Sequence, residues 1–326
     1  MTSFKVGIDS YSLKPLDLDP FELLDWTIIN EADGVQFSEV PPQAGDRAFL
    51  LELSQYAAQN DLYLEWGGGE HIPFDLAAGK PKEIASINRR AVEQAALMGI
   101  RTIRSCSGGL MRWRPDSLPT ETYLREMAAT LRAQKSLFRE NGVILAVETH
   151  FEFTTFELLR LFEMCETAPG EFLGICLDTM NLLTMLEDPV AATRRILPWV
   201  VTTHIKDGAI ILAENGLVSF TAEAGKGLVD FKEIFRILGT SGRPLNYSIE
   251  DHGGEFLIPI FDPEFLAGFP DLTVSELSAL LKLAARTQEL VRTRALAALD
   301  RGRWPDVCEG RVKRDVKAIR TILQME

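Results

Sequence analysis

Histidine and cysteine are both scarce in this chain of 326 residues, with four of each, and basic residues are outnumbered by acidic ones. The cysteines, Cys106, Cys165, Cys176 and Cys308, are widely spaced and form no CxxC pair. That removes the usual dithiol and zinc-ribbon patterns and leaves reduced, mostly buried thiols, as expected of a cytosolic protein. Lys and Arg total 34 against 47 Asp and Glu, a formal net charge of −13. Such a balance works against a polyanionic partner, whose affinity comes largely from neutralised phosphates, so no nucleic acid partner is expected. No apolar stretch approaches the length of a membrane span, and no basic n-region with a long apolar run precedes Val6. A cytoplasmic protein without a signal peptide or membrane contact is therefore expected. What the chain has in plenty is apolar residues, 46% of the total, enough for a large core in one domain.

Strand-like and helix-like stretches alternate along it. Phe4–Ser10, Gly34–Phe37, Leu62–Trp66, Ile100–Cys106, Val143–Glu148, Phe172–Leu177, the β-branched run beginning at Val200, and Leu245–Ile249 read as eight strands. Between them, apolar residues recur at helical spacing, as in Leu124, Met127, Ala128 and Leu131. Start and stop signals fall where expected. Asp19-Pro20 and Asp188-Pro189 give cap and first-position order, Thr154/Glu157 and Asp230/Glu233 have capping-box spacing, and Gly99 and Gly239 follow apolar stripes. Eight such units predict an α/β fold closed into a (β/α)8 TIM barrel over residues 1–272. The tail, residues 273–326, reads as a C-terminal helical extension packed on the barrel, a candidate contact for a homo-oligomer, with a charge run from Arg311 to Lys317 read as a solvated face. The Phe- and Pro-rich stretch 253–270 has two readings, an active-site lid or packing against the tail.

Active sites of this architecture form at the C-terminal strand ends. Those ends offer Glu148, Asp178, His204 and Glu250 on four consecutive strands. Three carboxylates crowded at one mouth repel one another unless a cation holds them, so a metal site is predicted. Three carboxylates and one imidazole form a hard, oxygen-rich set that suits Mn²⁺ or Mg²⁺, with Co²⁺ or Zn²⁺ as alternatives. The two-residue strand period adds His150 after Glu148, Lys206 after His204 and His252 after Glu250. His150 is a candidate proton carrier, Lys206 leaves the strand on the same face as His204, and His252 is a candidate substrate contact. Further candidates for substrate binding are Glu65, Trp66 and His71 at the third strand end, with Trp66 suited to stacking on a sugar ring. Around the fourth strand, Arg104, Arg112 and Arg114 are candidates for a carboxylate or phosphate.

Taken together, AVETH (146–150), LDTMN (177–181) with EDP (187–189), HIKD (204–207) and SIEDH (248–252) resemble the xylose isomerase-like barrel superfamily of sugar phosphate isomerases and epimerases, which also includes endonuclease IV. The resemblance covers about residues 4–255. It implies one divalent metal ion on Glu148, Asp178, His204 and Glu250, with Glu148 and Glu250 doubling as acid and base. Two departures stand against a free-ketose 3-epimerase. Asn181 stands where those enzymes usually carry histidine, and Gly208, Ala209 and Ile210 stand where an arginine is usual. Four histidines and an acidic balance fit poorly with the histidine-rich centre of endonuclease IV. The implied function is a metal-dependent isomerase or epimerase of a sugar-like substrate acting through an enediolate, with Lys206 a candidate to add positive charge near the enolate oxygen. The alternative is a lyase using the same enolate chemistry: decarboxylation of a 3-oxo sugar acid, dehydration or C-glycoside cleavage.

Overall fold

Eight parallel strands close into a barrel in the computed structural model, which describes residues 4–75, 80–106, 109–114 and 117–324. The strands are β1 (Lys5–Asp9), β2 (Gly34–Phe37), β3 (Tyr63–Gly69), β4 (Thr102–Ser105), β5 (Ile144–Glu148), β6 (Leu173–Asp178), β7 (Val200–Ile205) and β8 (Asn246–Ile249). They lie in chain order around the barrel, and the ring shuts where β1 pairs with β8, from Lys5 opposite Asn246 to Ile8 opposite Ile249. This is the TIM barrel expected from the strand and helix alternation, with a C-terminal helix added. Strand β3 runs three residues further than its apolar stretch. Gly67 makes that possible, because a Cβ there would lie 2.3 Å from the Ser38 carbonyl oxygen at the end of β2.

The helices begin where side chains satisfy their free N–H groups. Asp19 and Glu22 form a reciprocal capping box ahead of the Pro20–Ile29 helix, and Thr154 and Glu157 do the same for Thr155–Met164. At the Phe231–Gly239 helix, Asp230 accepts from the Glu233 N–H. The Glu233 carboxylate goes to Arg236 and Arg194 instead of back to the cap.

Two elements differ from the sequence expectation. After β7 the chain makes an antiparallel hairpin, Asp207–Ala213 with Gly216–Ala222, and the Glu255–Ile258 strand joins its edge. Stretch 253–270 is thus a strand followed by the Pro263–Ala267 helix. Its Ile258, Ile260, Phe265 and Phe269 share a second apolar cluster with Ile210 and Leu217 of the hairpin and Leu280 and Ala284 of the Val274–Arg292 helix. Packing against the tail is therefore realised in the structure.

The final helix, Trp304–Gln324, puts Trp304, Cys308, Val312, Val316 and Ile319 into the main core. The reading of 311–317 as a solvated face needs correction. Arg311 and Asp315 are buried, and Arg311 bridges Asp251 at 2.7 Å and Asp315 at 3.1 Å. A helix laid on the barrel buries every third or fourth residue whatever its charge, and these charges are kept there by pairing.

Candidate metal centre

Glu148 ends β5, Asp178 ends β6, His204 is the last but one residue of β7, and Glu250 follows β8. Strand register sets Asp178 level with His204, and His204 level with Ser248 of β8. All four side chains are buried, each residue 5% exposed or less, and one ligand-capable atom from each lies within 4.8 Å of the others. Local hydrogen bonds aim them. Asp178 Oδ1 accepts from the backbone N–H of Met180 at 2.9 Å and Asn181 at 2.8 Å, which leaves Oδ2 for the site. The His204 ring gives Nε2 to the Gln36 carbonyl oxygen and turns Nδ1 toward Glu148 Oε1 at 3.4 Å and Glu250 Oε2 at 3.9 Å.

These residues fit a divalent cation. Among the described residues, His204 Nδ1 is buried without a hydrogen-bond partner, and Asp178 Oδ2 and Glu250 Oε2 meet only the ammonium of Lys206. Carboxylate oxygens and an imidazole nitrogen converging on one point in a protein interior form a donor set that an ion could take up. Two protein cations also serve the cluster. Lys206 Nζ lies 2.9 Å from Asp178 Oδ2 and pairs with Glu250 Oε2. Arg104 donates Nε to Glu148 Oε2 at 2.7 Å, pairs with the same oxygen through Nη2, and sends Nη1 to Ser38 Oγ at 3.0 Å.

The charges answer one another. Burial, the largest influence, and Arg104 oppose the charge of His204, yet the Glu148 and Asp9 carboxylates together more than offset them and the imidazole is pushed up to about 10. Burial also raises Asp178, to about 6 in spite of Lys206, with Glu250 and Glu148 adding to the rise. For Glu148 and Glu250 burial acts upward too, but Arg104 and Lys206 respectively hold the carboxyls below the usual range. Arg104, Lys206 and the His204 imidazolium thus balance the three carboxylates, and the same cluster could bind a metal ion in place of the imidazole proton.

The other candidates divide by position. His150 borders the cluster: its Nδ1 is 3.0 Å from Glu152 Oε2, and it can share an ion with Cys106 and Glu148. His252 Nε2 is 3.9 Å from Glu250 Oε1, and its ring meets the edge of Tyr11. His71 is buried, with Nδ1 bonded to Ser105 Oγ at 2.7 Å, and burial brings it down to about 4. Trp66 is not at the mouth as expected. It is fully buried and its Nε1 donates to Gln94 on the Ala85–Met98 helix, because neighbours along a strand face opposite ways. Glu65 does face inward, but it lies below the cluster, bonded to Gln36, Thr202 and Asn246.

Arg112 is a brace and not a free anion anchor. Its buried guanidinium pairs with Glu157, bonds the carbonyl oxygens of Glu152 and Gly268, and lies 4.6 Å from the Phe269 ring centre. Arg114 lines a cavity of about 720 Å³ with Trp113, Pro259 and Phe265, to which none of the four cluster residues contributes. The sequence reading did not single out Asp9, Gln36, Ser38 or Glu152. The first three sit at the ends of β1 and β2, where strand-end position was a usable signal; Glu152 lies one alternation beyond His150.

A family model for xylose isomerase-like TIM barrels matches residues 30–267, and the chain belongs to that family. Among curated proteins, it is 26% identical over 214 residues to the 3-oxo-isoapionate decarboxylase of Pectobacterium atrosepticum, covering 60% of this chain and 76% of that protein. Among solved structures, the D-psicose 3-epimerase of Clostridium cellulolyticum with D-tagatose superposes with a TM-score of 0.59 at 14% identity, covering 86% of this chain and 98% of that one. The IOLI protein with a bound zinc atom gives the same score at 15% identity, over 90% and 99%. At such identities the two structures bear on the fold alone.

Proposed function

We propose that the protein is a divalent-metal-dependent enzyme acting on a sugar-like substrate through an enediolate, and that its reaction is decarboxylation of a 3-oxo sugar acid. The observation that carries this reading is the convergence of one ligand-capable atom each from Glu148, Asp178, His204 and Glu250, within 4.8 Å of one another, at the barrel mouth. A divalent ion such as Mn²⁺ or Mg²⁺, held by these four residues, would supply positive charge that stabilises negative charge developing on substrate oxygens. Lys206 adds a second, buried positive charge to the same end of the site.

The choice of decarboxylation rests on how the two glutamates are occupied. Arg104 takes Glu148 Oε2 with two nitrogens and Oε1 is turned to the cluster, where a bound cation would take it, whereas Glu250 keeps Oε1 outside its pair with Lys206, 3.9 Å from His252 Nε2. Glu250 is then the proton carrier, with His150, held by Glu152, as the second candidate. Decarboxylation suits a site with one carrier. The electron pair of the breaking C–C bond stays on the substrate carbon as the enediolate, CO₂ leaves, and one proton is returned. Epimerisation removes a proton from one face and returns one to the other, which calls for two carriers. Similarity to a 3-oxo-isoapionate decarboxylase points the same way. A second reading, sugar isomerase or epimerase, is favoured by the presence of both Glu148 and Glu250 in one cluster.

The test is to incubate Mn²⁺-loaded protein in D₂O with 3-oxo sugar acids and free ketoses, following CO₂ and deuterium. Release of CO₂ with one deuteron per product is expected. Deuterium in recovered ketose without CO₂ would decide for the second reading.

A further inference from the structure

Below the metal cluster the barrel interior holds a polar layer with a fixed direction of hydrogen bonding. Glu65 from β3 accepts from Gln36 Nε2 at 2.6 Å, from Asn246 Nδ2 at 2.8 Å and from the Thr202 hydroxyl. Gln36 and Thr202 are fully buried and Glu65 is 4% exposed, so no solvent competes for these bonds. The order of donors and acceptors follows from chemistry. A carboxylate only accepts, so Gln36 must turn its amide nitrogen toward Glu65 and its carbonyl oxygen the other way, to His204 Nε2. A carbonyl also only accepts, so Nε2 must carry the ring proton. In the neutral imidazole that a bound cation requires, that leaves the lone pair on Nδ1. Nδ1 is the atom without a hydrogen-bond partner inside the cluster. Asp9 Oδ2, 3.4 Å from Nε2, is a further acceptor on the same side and acts in the same sense.

We infer that Gln36, its amide orientation set by Glu65, is the positioning residue that fixes the tautomer and ring direction of His204, so that the cation is taken through Nδ1. This rests on the metal-site reading above. It gives Glu65 a role the sequence does not suggest: the residue acts on the site through two other side chains and does not touch substrate. The chain of contacts runs from β3 to β2 to β7, across the barrel, and needs the closed ring to exist.

The experiment uses the full chain and the metal alone. With only four histidines, ring nitrogen spectra of the Zn²⁺-loaded protein can be assigned by single substitutions. His204 is expected to be metal-bound at Nδ1, with an Nε2–H slow to exchange. Affinity for Mn²⁺, measured against a competing chelator, should fall about 10- to 100-fold in Gln36→Leu, the usual cost of losing such a partner, with loss of the slow Nε2–H. In Glu65→Gln the amide can turn either way, and an intermediate loss is expected. The exchanged pair Gln36→Glu with Glu65→Gln again presents an acceptor to His204 at unchanged net charge. It should recover affinity to within about threefold, a rescue that a purely structural role does not give. Coordination through Nε2 in the wild type, Gln36→Leu affinity within twofold of wild type, or an exchanged pair no better than Gln36→Leu would overturn the inference. Should Gln36→Leu not fold, the wild-type coordination and the exchanged pair still decide. A wild type that binds neither ion overturns the metal centre itself, and the inference with it.

Discussion

The ammonium of Lys206 lies between Asp178 and Glu250, almost wholly out of solvent. Burial opposes its charge, and the two carboxylates restore it, so the amine is held protonated well above its usual range. It neutralises at the site what an ion would otherwise have to neutralise alone. Lys206→Met is therefore expected to destabilise the metal-free protein by about 3–5 kcal/mol, the usual cost of leaving buried charges uncompensated. Saturating Mn²⁺ should restore much of that loss, so the rise in melting temperature on adding metal should be larger in the variant than in the wild type. Equal rises would show that lysine and metal do not share the same carboxylates. The residue identities of this cluster are legible in the sequence because each is a strand-end residue of a known type. The bonds of Arg104 to Glu148 are not, since 44 positions separate them and only adjacent strands of the closed sheet bring them together.

At the scale of elements, the last helix is tied to the end of β8. Arg311 joins it to Asp251, one residue beyond Glu250, and Asp315 on the next turn takes the same guanidinium. Burial pushes Asp315 up to about 7 even though Arg311 holds it down. A folded-state value above the unfolded one of about 3.9 means this group stabilises the fold most at low pH. That contribution is lost as pH rises from about 4 through 7. Arg311→Met removes the restraint, raises the folded value further and extends the loss to higher pH. The stability gap between variant and wild type should thus be smaller at pH 5 than at pH 8, by about 1–2 kcal/mol, in urea unfolding at both values. A constant gap would place the effect in packing instead. The hairpin after β7 was open to detection, as Asn215-Gly216 between apolar runs is a strong hairpin signal. Its Glu255–Ile258 partner carried no such signal, because that pairing joins segments some 40 residues apart.

For the molecule as a whole, the tail completes two cores. Leu280 and Ala284 close the cluster over the hairpin, while Trp304, Cys308, Val312, Val316 and Ile319 enter the barrel's own core. Trp304 also donates to the Ser12 carbonyl at 3.0 Å beside β1. Burying five such side chains contributes on the order of 10 kcal/mol, comparable with the whole stability of a typical domain. A chain ending at residue 272 is expected to lose cooperative unfolding and precipitate on expression. A soluble, sharply melting truncation would mean that the barrel stands without its tail. Among the described residues no helix is long and apolar enough to cross a membrane.

The sequence by itself determined the eight-unit alternation, most helix starts, and the four residue types at consecutive strand ends, because periodicity, caps and strand ends are written in neighbouring positions. It also carries the resemblance to xylose isomerase-like barrels, in short motifs at those strand ends. Only the tertiary structure decided that Trp66 turns to the helix layer, that Arg112 braces a loop, that Arg311 is buried, and that Glu65 reaches His204 through Gln36. Each of those depends on which distant groups closure of the barrel sets within hydrogen-bonding distance, and that is a property of the ring and not of any segment in it.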